Sequence, residues 1–222
     1  LKMATILTET FNTYTDGDLS TQGSWVYVSG GVINVDSAAA SIYEGAKGLK
    51  GTVATGYDAI YYKDGTAQAD GRITWYAKLQ QDSGEMIQIE LRTTTDLRPI
   101  VVRYYSGLFR YLSGGIYTTI FSGLASNTYH RFEIEWRSSD GFARYNVDGG
   151  TWTDWLARNT TDTPQRFLID FYKNTGTNGN IMNLDYIAQD PYTASYTKSI
   201  SDVLILAETF LSIGGFKKEL TD

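Results

Sequence analysis

The acidic and aromatic side chains are the residues with the most chemical promise. Glycosidic-bond hydrolysis takes two carboxyl groups across the scissile bond, about 5–5.5 Å apart in a retaining enzyme. Glu85-Met86-Ile87-Gln88-Ile89-Glu90 holds two glutamates in one run. In a regular strand Glu85 and Glu90 point to opposite faces, and no Asp lies between them. Glu133 and Glu135 do share a face, but Arg131 and Arg137 flank them. That is the pattern of ion pairs on a wet sheet face. No residue is therefore assigned a catalytic role.

Glycan binding needs exposed rings for stacking and planar polar groups for hydroxyls. Tyr105, Trp152, Trp155, Gln88 and Arg103 are the candidates. Trp152 and Trp155 follow the Asp148-Gly149-Gly150 turn and, three apart, face opposite ways in a strand. The 17 Tyr suit sheet packing and subunit contact equally well, so both readings stand.

Other chemistry is excluded. With no Cys there is no thiolate nucleophile, disulfide or cysteine metal site, and one His cannot build a multi-His centre. His130 opens a predicted strand beside Tyr129 and reads as a residue packed on that ring. A net charge of −6, basic residues scattered among acidic ones and no phosphate-binding Gly loop argue against nucleic-acid partners. The longest apolar run, Val203 to Ala207, is far below the ~20 residues of a spanning helix. Leu1 to Phe11 lacks the pattern of a signal peptide. Abundant Thr, Ser, Tyr and Gly without Cys leads us to expect an extracellular, cell-surface or virion-surface protein.

The elements that must position these residues are strands. Ile73, Trp75, Ala77 and Leu79 alternate with polar neighbours, as do Ile87, Ile89 and Leu91, then Phe132, Ile134 and Trp136, then Phe167, Ile169 and Phe171. A period of two buries one face of a strand and wets the other. Gly-containing turns such as Asp64-Gly65, Gly114-Gly115 and Asp140-Gly141 separate the runs. Many short antiparallel strands imply a sandwich or barrel. The domain is expected over residues 1–190. A tail over 191–222 is expected to hold one strand, Val203 to Phe210, with helix as the alternative.

Ile6-Leu7-Thr8-Glu9-Thr10-Phe11 recurs as Ile205-Leu206-Ala207-Glu208-Thr209-Phe210, with one difference. One reading is chance. Another is that similar strands fill similar slots, with Ile205, Leu206 and Phe210 adding to a neighbour's sheet where Ile6, Leu7 and Phe11 otherwise sit. A third makes the tail the start of a further module.

Glu9-Thr10-Phe11 with Gly17-Asp18-Leu19 and Gly23-Ser24-Trp25 resembles the opening of concanavalin A-like (laminin G-like) jelly-roll domains of bacterial and phage type. Tyr129 to Trp136, Phe142 to Gly149 and Asn183 to Ile187 resemble the later strands of that family, so the likeness covers roughly Glu9 to Gln189. It implies an all-β, two-sheet antiparallel jelly-roll sandwich, here with a C-terminal extension strand. The family hosts lectins, glycanases, lyases and structural domains, so the fold does not choose among them. Its glycanases carry Glu-x-Asp-x-Glu on a concave strand, which this chain lacks. Its lyases combine Arg, Gln, His and Tyr there, for which Gln88, Arg92, Arg103 and Tyr105 are the nearest set. It also implies a structural Ca²⁺ joining the terminal strands, with Glu9 and Asp185 as ligands if those strands pair. No other cofactor is expected. The resulting expectation is a non-enzymatic structural or adhesive module of a virion, filament or cell surface that assembles with itself. A carbohydrate-binding domain for surface glycans is the alternative, ahead of a glycoside hydrolase or polysaccharide lyase. Neither nucleic acid nor membrane insertion is expected.

Overall fold

Residues 7–54, 56–80, 84–173 and 181–190 are described by the computed structural model. The alternating runs become strands: β1 (Thr8–Glu9), β2 (Gly17–Asp18), β3 (Val26–Gly30), β4 (Val32–Asp36), β5 (Gly48–Thr52), β6 (Tyr57–Asp64), β7 (Gly71–Leu79) and β8 (Glu85–Arg92). They continue as β9 (Ile100–Tyr105), β10 (Leu108–Ser113), β11 (Ile116–Phe121), β12 (His130–Arg137), β13 (Phe142–Val147), β14 (Leu156–Ala157), β15 (Arg166–Lys173) and β16 (Ile181–Asp190). All strand pairings among the described residues are antiparallel, and they form two sheets.

The larger sheet has the order β14-β13-β12-β7-β16-β5-β4-β2, with β1 also paired to β16. The smaller has the order β11-β10-β9-β8-β15-β6-β3. Between them lies one apolar core, including Trp75, Phe132, Ile134 and Trp136 from the larger sheet and Ile87, Ile89, Phe167, Ile169 and Phe171 from the smaller. The fold is therefore the all-β two-sheet sandwich expected. The approach of the sheets is close at Gly51, where a Cβ would stand 1.9 Å from the Phe171 ring.

The chain divides into two compact units, Leu1–Tyr192 and Thr193–Asp222. The expected tail strand and its residues Ile205, Leu206 and Phe210 lie outside the described residues, as does Ile6. Leu7 and Phe11 belong to the core, where Phe11 packs on Tyr14 and Trp25.

First and last strands do pair, Glu9 opposite Ile187. The expected calcium pair is nonetheless not assembled. Ile187 is core, so Glu9 points inward, where it accepts hydrogen bonds from Lys63 (3.0 Å) and Tyr14 (2.5 Å). Leu184 is also core, so Asp185 points outward and accepts from the N–H groups of Tyr43, Glu44 and Tyr186. A bulge separates the two, with Tyr186 at φ 46° and one extra residue against β7. It reverses the alternation and lets both Leu184 and Ile187 reach the core. No cluster of three or more His, Cys, Asp or Glu suited to a metal occurs among the described residues.

Candidate active site

The outer face of the smaller sheet is built from the residues that alternate with the core. On β8 these are Met86, Gln88, Glu90 and Arg92; on β15 they are Arg166, Leu168, Asp170 and Tyr172. Their neighbours on β9 are Val101, Arg103 and Tyr105. A flat outer face would leave these residues wet. Here Met86, Gln88, Glu90, Val101 and Leu168 are buried, although none belongs to the core between the sheets.

Curvature explains this. The Tyr117 hydroxyl on β11 donates to Gln88 Oε1 on β8 at 3.0 Å, with β10 and β9 between them. Three strand spacings make about 14 Å in a flat sheet, well beyond the reach of a tyrosine. The edge must curl over the centre, so the face is concave. Arg103 lies within the curl, donating from Nε to Gln88 Oε1 and stacking on the Tyr117 ring at 3.7 Å. Burial raises the Tyr117 pKa, so its hydroxyl keeps its proton.

Three carboxyl groups cross the floor of this groove on a diagonal. Asp170 lies opposite Gln88 on one side and Ile60 on the other. Glu90 is opposite Leu168, and Asp58 is opposite Tyr172. Each is thus a diagonal neighbour of Asp170, about 7 Å away.

Their environments differ. Glu90 Oε1 accepts from Arg98 (2.6 Å) and Gln88, and Oε2 accepts from Arg92 (2.6 Å) and Arg98 (2.8 Å). All four of its acceptor positions are occupied, so it serves as a fixed anion that organises two guanidinium groups. Asp170 has no such support, and its Oδ1 is buried without a hydrogen-bond partner. Burial first, then the charges of Asp58 and Glu90, pushes its pKa up to about 7 against the pull of Arg103 and Arg92. Asp58 has no ion pair among the described residues and is partly exposed. A carboxyl with a raised pKa beside a second, unpaired carboxyl is a pairing that acid–base chemistry can use.

Gln88, Arg103 and Tyr105 all lie on this concave face. Trp152 and Trp155 do not join them, because they cover the outer face of the larger sheet. There Arg137 stacks on Trp155 at 3.7 Å, and Arg144 lies 4.9 Å from both tryptophan rings. Arg137 pairs with Asp140, and Arg144 belongs to the set around Glu133 and Glu135, which accept from Arg131 (2.7 Å) and Arg144 (2.6 Å) respectively. His130 is buried; it contacts Tyr104 edge-on and holds Asp148 (2.7 Å) and the Ala125 carbonyl (3.0 Å). Sequence reasoning placed Asp170 on the polar side of its strand but missed it, and Asp58, as site residues. An acidic residue midway along an alternating strand was the available signal.

No family model and no curated protein matches the chain by sequence. Solved structures do match. A sialidase superposes with a TM-score of 0.60 at 12% identity over 92% of this chain, which spans 21% of the sialidase's length. A Bacillus licheniformis beta-glucanase gives 0.56 at 14%, covering 84% of this chain and 98% of that one. The catalytic domain of a glycoside hydrolase family 131 protein from Coprinopsis cinerea gives 0.54 at 14%, covering 83% and 94%. These identities establish shared fold. They also correct the expectation of a non-enzymatic, self-assembling structural module. In the last two proteins the same sandwich makes up almost the whole of the chain. The chain shares with these structures the two-sheet antiparallel jelly-roll sandwich fold.

Proposed function

We propose that this protein cleaves glycosidic bonds in the groove of the smaller sheet. The observation that carries the reading is the place of Asp170, on the floor of a concave face between Glu90 and Asp58 with its Oδ1 buried and unpartnered. Asp170 donates its proton to the leaving glycosidic oxygen. Asp58 takes a proton from the water that attacks the opposite side of the sugar. A general acid and a separate general base with a water between them is the arrangement of inversion. Glu90 acts as a positioning residue that holds Arg92 and Arg98 beside the groove.

The test is hydrolysis of soluble β-glucans, xylans and polyuronates, with the product's first-formed anomer read by NMR. Inverted product, abolished by Asp170→Asn and by Asp58→Asn, is expected. Retained configuration, or full activity in Asp170→Asn, overturns the assignment. The linked set Arg103, Gln88 and Tyr117 favours a second reading, elimination from a uronate chain. An unsaturated sugar end in the product distinguishes it from hydrolysis. A polysaccharide substrate fits an extracellular or cell-surface setting. We also propose that residues 191–222 form a tail separate from this domain.

A further inference from the structure

We infer that the opposite outer face, on the larger sheet, carries a second pocket that binds one neutral pyranose ring without acting on it. The pocket has a volume of about 180 Å³ and is lined by Tyr43, Tyr76, Tyr129, Arg131 and Asp148. A cavity of about 150 Å³ accepts a benzene ring, so a single six-membered ring is the right size of occupant.

The walls are built and held. Tyr76 on β7 stacks face to face with Tyr43, centroids 3.7 Å apart. Tyr129 meets Tyr43 edge-on at 5.6 Å. The loop bearing Tyr43 is pinned by the N–H groups of Tyr43 and Glu44, which donate to Asp185 at 2.8 and 2.9 Å. Lys78 lies 4.7 Å over the Tyr129 ring and donates to the Ala40 carbonyl. These contacts set the tyrosines before any ligand arrives, which lowers the ordering cost of binding.

Polar groups complete the recognition. Tyr129 contributes to the pocket lining, while its hydroxyl is itself buried. Arg131 and Asp148 both line the pocket; Asp148 is held there by the backbone N–H of Arg131 at 2.8 Å, and the Arg131 guanidinium is held by Glu133 at 2.7 Å. Together Asp148 and Arg131 offer an acceptor and a donor to adjacent ring hydroxyls. Their opposite charges select a neutral ligand, since an ion of either sign meets a like charge. Ring stacking with paired planar polar groups is the chemistry of sugar recognition. No residue of this pocket belongs to the groove, so it would tether a glycan chain while the other face acts.

The experiment titrates methyl glucoside, galactoside, mannoside and xyloside into protein labelled on its tyrosine rings, followed by NMR. Saturable shifts of Tyr43, Tyr76 and Tyr129 with at least one glycoside are expected. Tyr43→Ala and Arg131→Gln should each weaken the affinity about tenfold or more, while Tyr43→Phe and Asp170→Asn leave it unchanged. Tyr43 is 47% exposed, and the two lining variants check each other for folding. Shifts confined to Tyr62, Tyr105 and Tyr117, loss of binding in Asp170→Asn, or no shift with any glycoside overturns the inference. Because Asp170→Asn disables the proposed cleavage and not this pocket, failure of one reading is separable from failure of the other.

Discussion

Each outer face of the sandwich carries glutamates among arginines, yet the two clusters have different chemistry. On the larger sheet, Glu133 and Glu135 sit two apart on one strand, with Arg72, Arg131 and Arg144 supplying partners from that strand and its neighbours. Every acid has a base beside it, and Trp152 and Trp155 roof the arginines. On the smaller sheet, Glu90 absorbs Arg92 and Arg98 completely. Asp170 is left on the same floor with no ion pair among the described residues, and burial with the neighbouring charges of Asp58 and Glu90 pushes its pKa up to about 7. Chemistry thus follows from the carboxyl left over after the ion pairs are made, and the conspicuous acidic pair is the inert one.

The largest expected effect is on rate. Asp170→Asn should cut glycan cleavage by about 10²–10⁴, the usual contribution of a general acid. Glu133→Gln and Glu135→Gln should leave kcat within about twofold, since substitutions away from the chemistry remove no transition-state interaction. Equal losses at Asp170 and Glu133 in a steady-state assay would erase the distinction between the faces.

The pH dependence comes next. Wild-type cleavage should fall as pH rises through about 7, where Asp170 loses its proton. Stability changes in the same direction. The folded carboxyl binds its proton more tightly than the unfolded one, whose ordinary pKa is 3.8. Its contribution is fully present below about pH 4 and is lost as pH rises toward 7. Asp170→Asn removes this loss and should be the more stable protein at pH 8, by up to about 4 kcal/mol. Urea unfolding at pH 5 and pH 8 measures it; equal pH slopes for the two proteins would place Asp170 in water.

On the other face the effect is smaller. Glu133→Gln should cost about 1 kcal/mol in thermal unfolding, because Arg72 and Arg131 are each about a third exposed and screened by solvent. A loss of several kcal/mol would show that this cluster is buried more deeply than its exposure indicates. The smallest effect is expected for Tyr117→Phe. It removes one hydrogen bond to Gln88, worth about 1 kcal/mol, and should reduce cleavage only a few-fold. No change at all would argue against a curled edge over the groove.

Much of the fold was legible in order along the chain. Ile87, Ile89 and Leu91 inward with Gln88 and Glu90 outward follows from period two, as does Phe167, Ile169 and Phe171 inward with Asp170 outward. The site was legible only in part. Gln88, Arg92, Arg103 and Tyr105 were expected as one set on neighbouring strands, and strand alternation puts them on one face of β8 and β9. Trp152 and Trp155 were misgrouped with them because nothing local says which sheet a segment covers. Glu9 and Asp185 were expected to converge, and the bulge at Tyr186 turned one inward and the other outward.

The division has a physical cause. Side-chain alternation is a property of each strand's own geometry, so local sequence was enough to sort inner from outer residues and to set the turns. Strand order is a property of long-range pairing. β15 enters the smaller sheet between β8 and β6, and that insertion alone puts Asp170 between Glu90 and Asp58. Burial and neighbouring charge, the two causes of its raised pKa, exist only once those three strands are side by side and the sheet has curved over them.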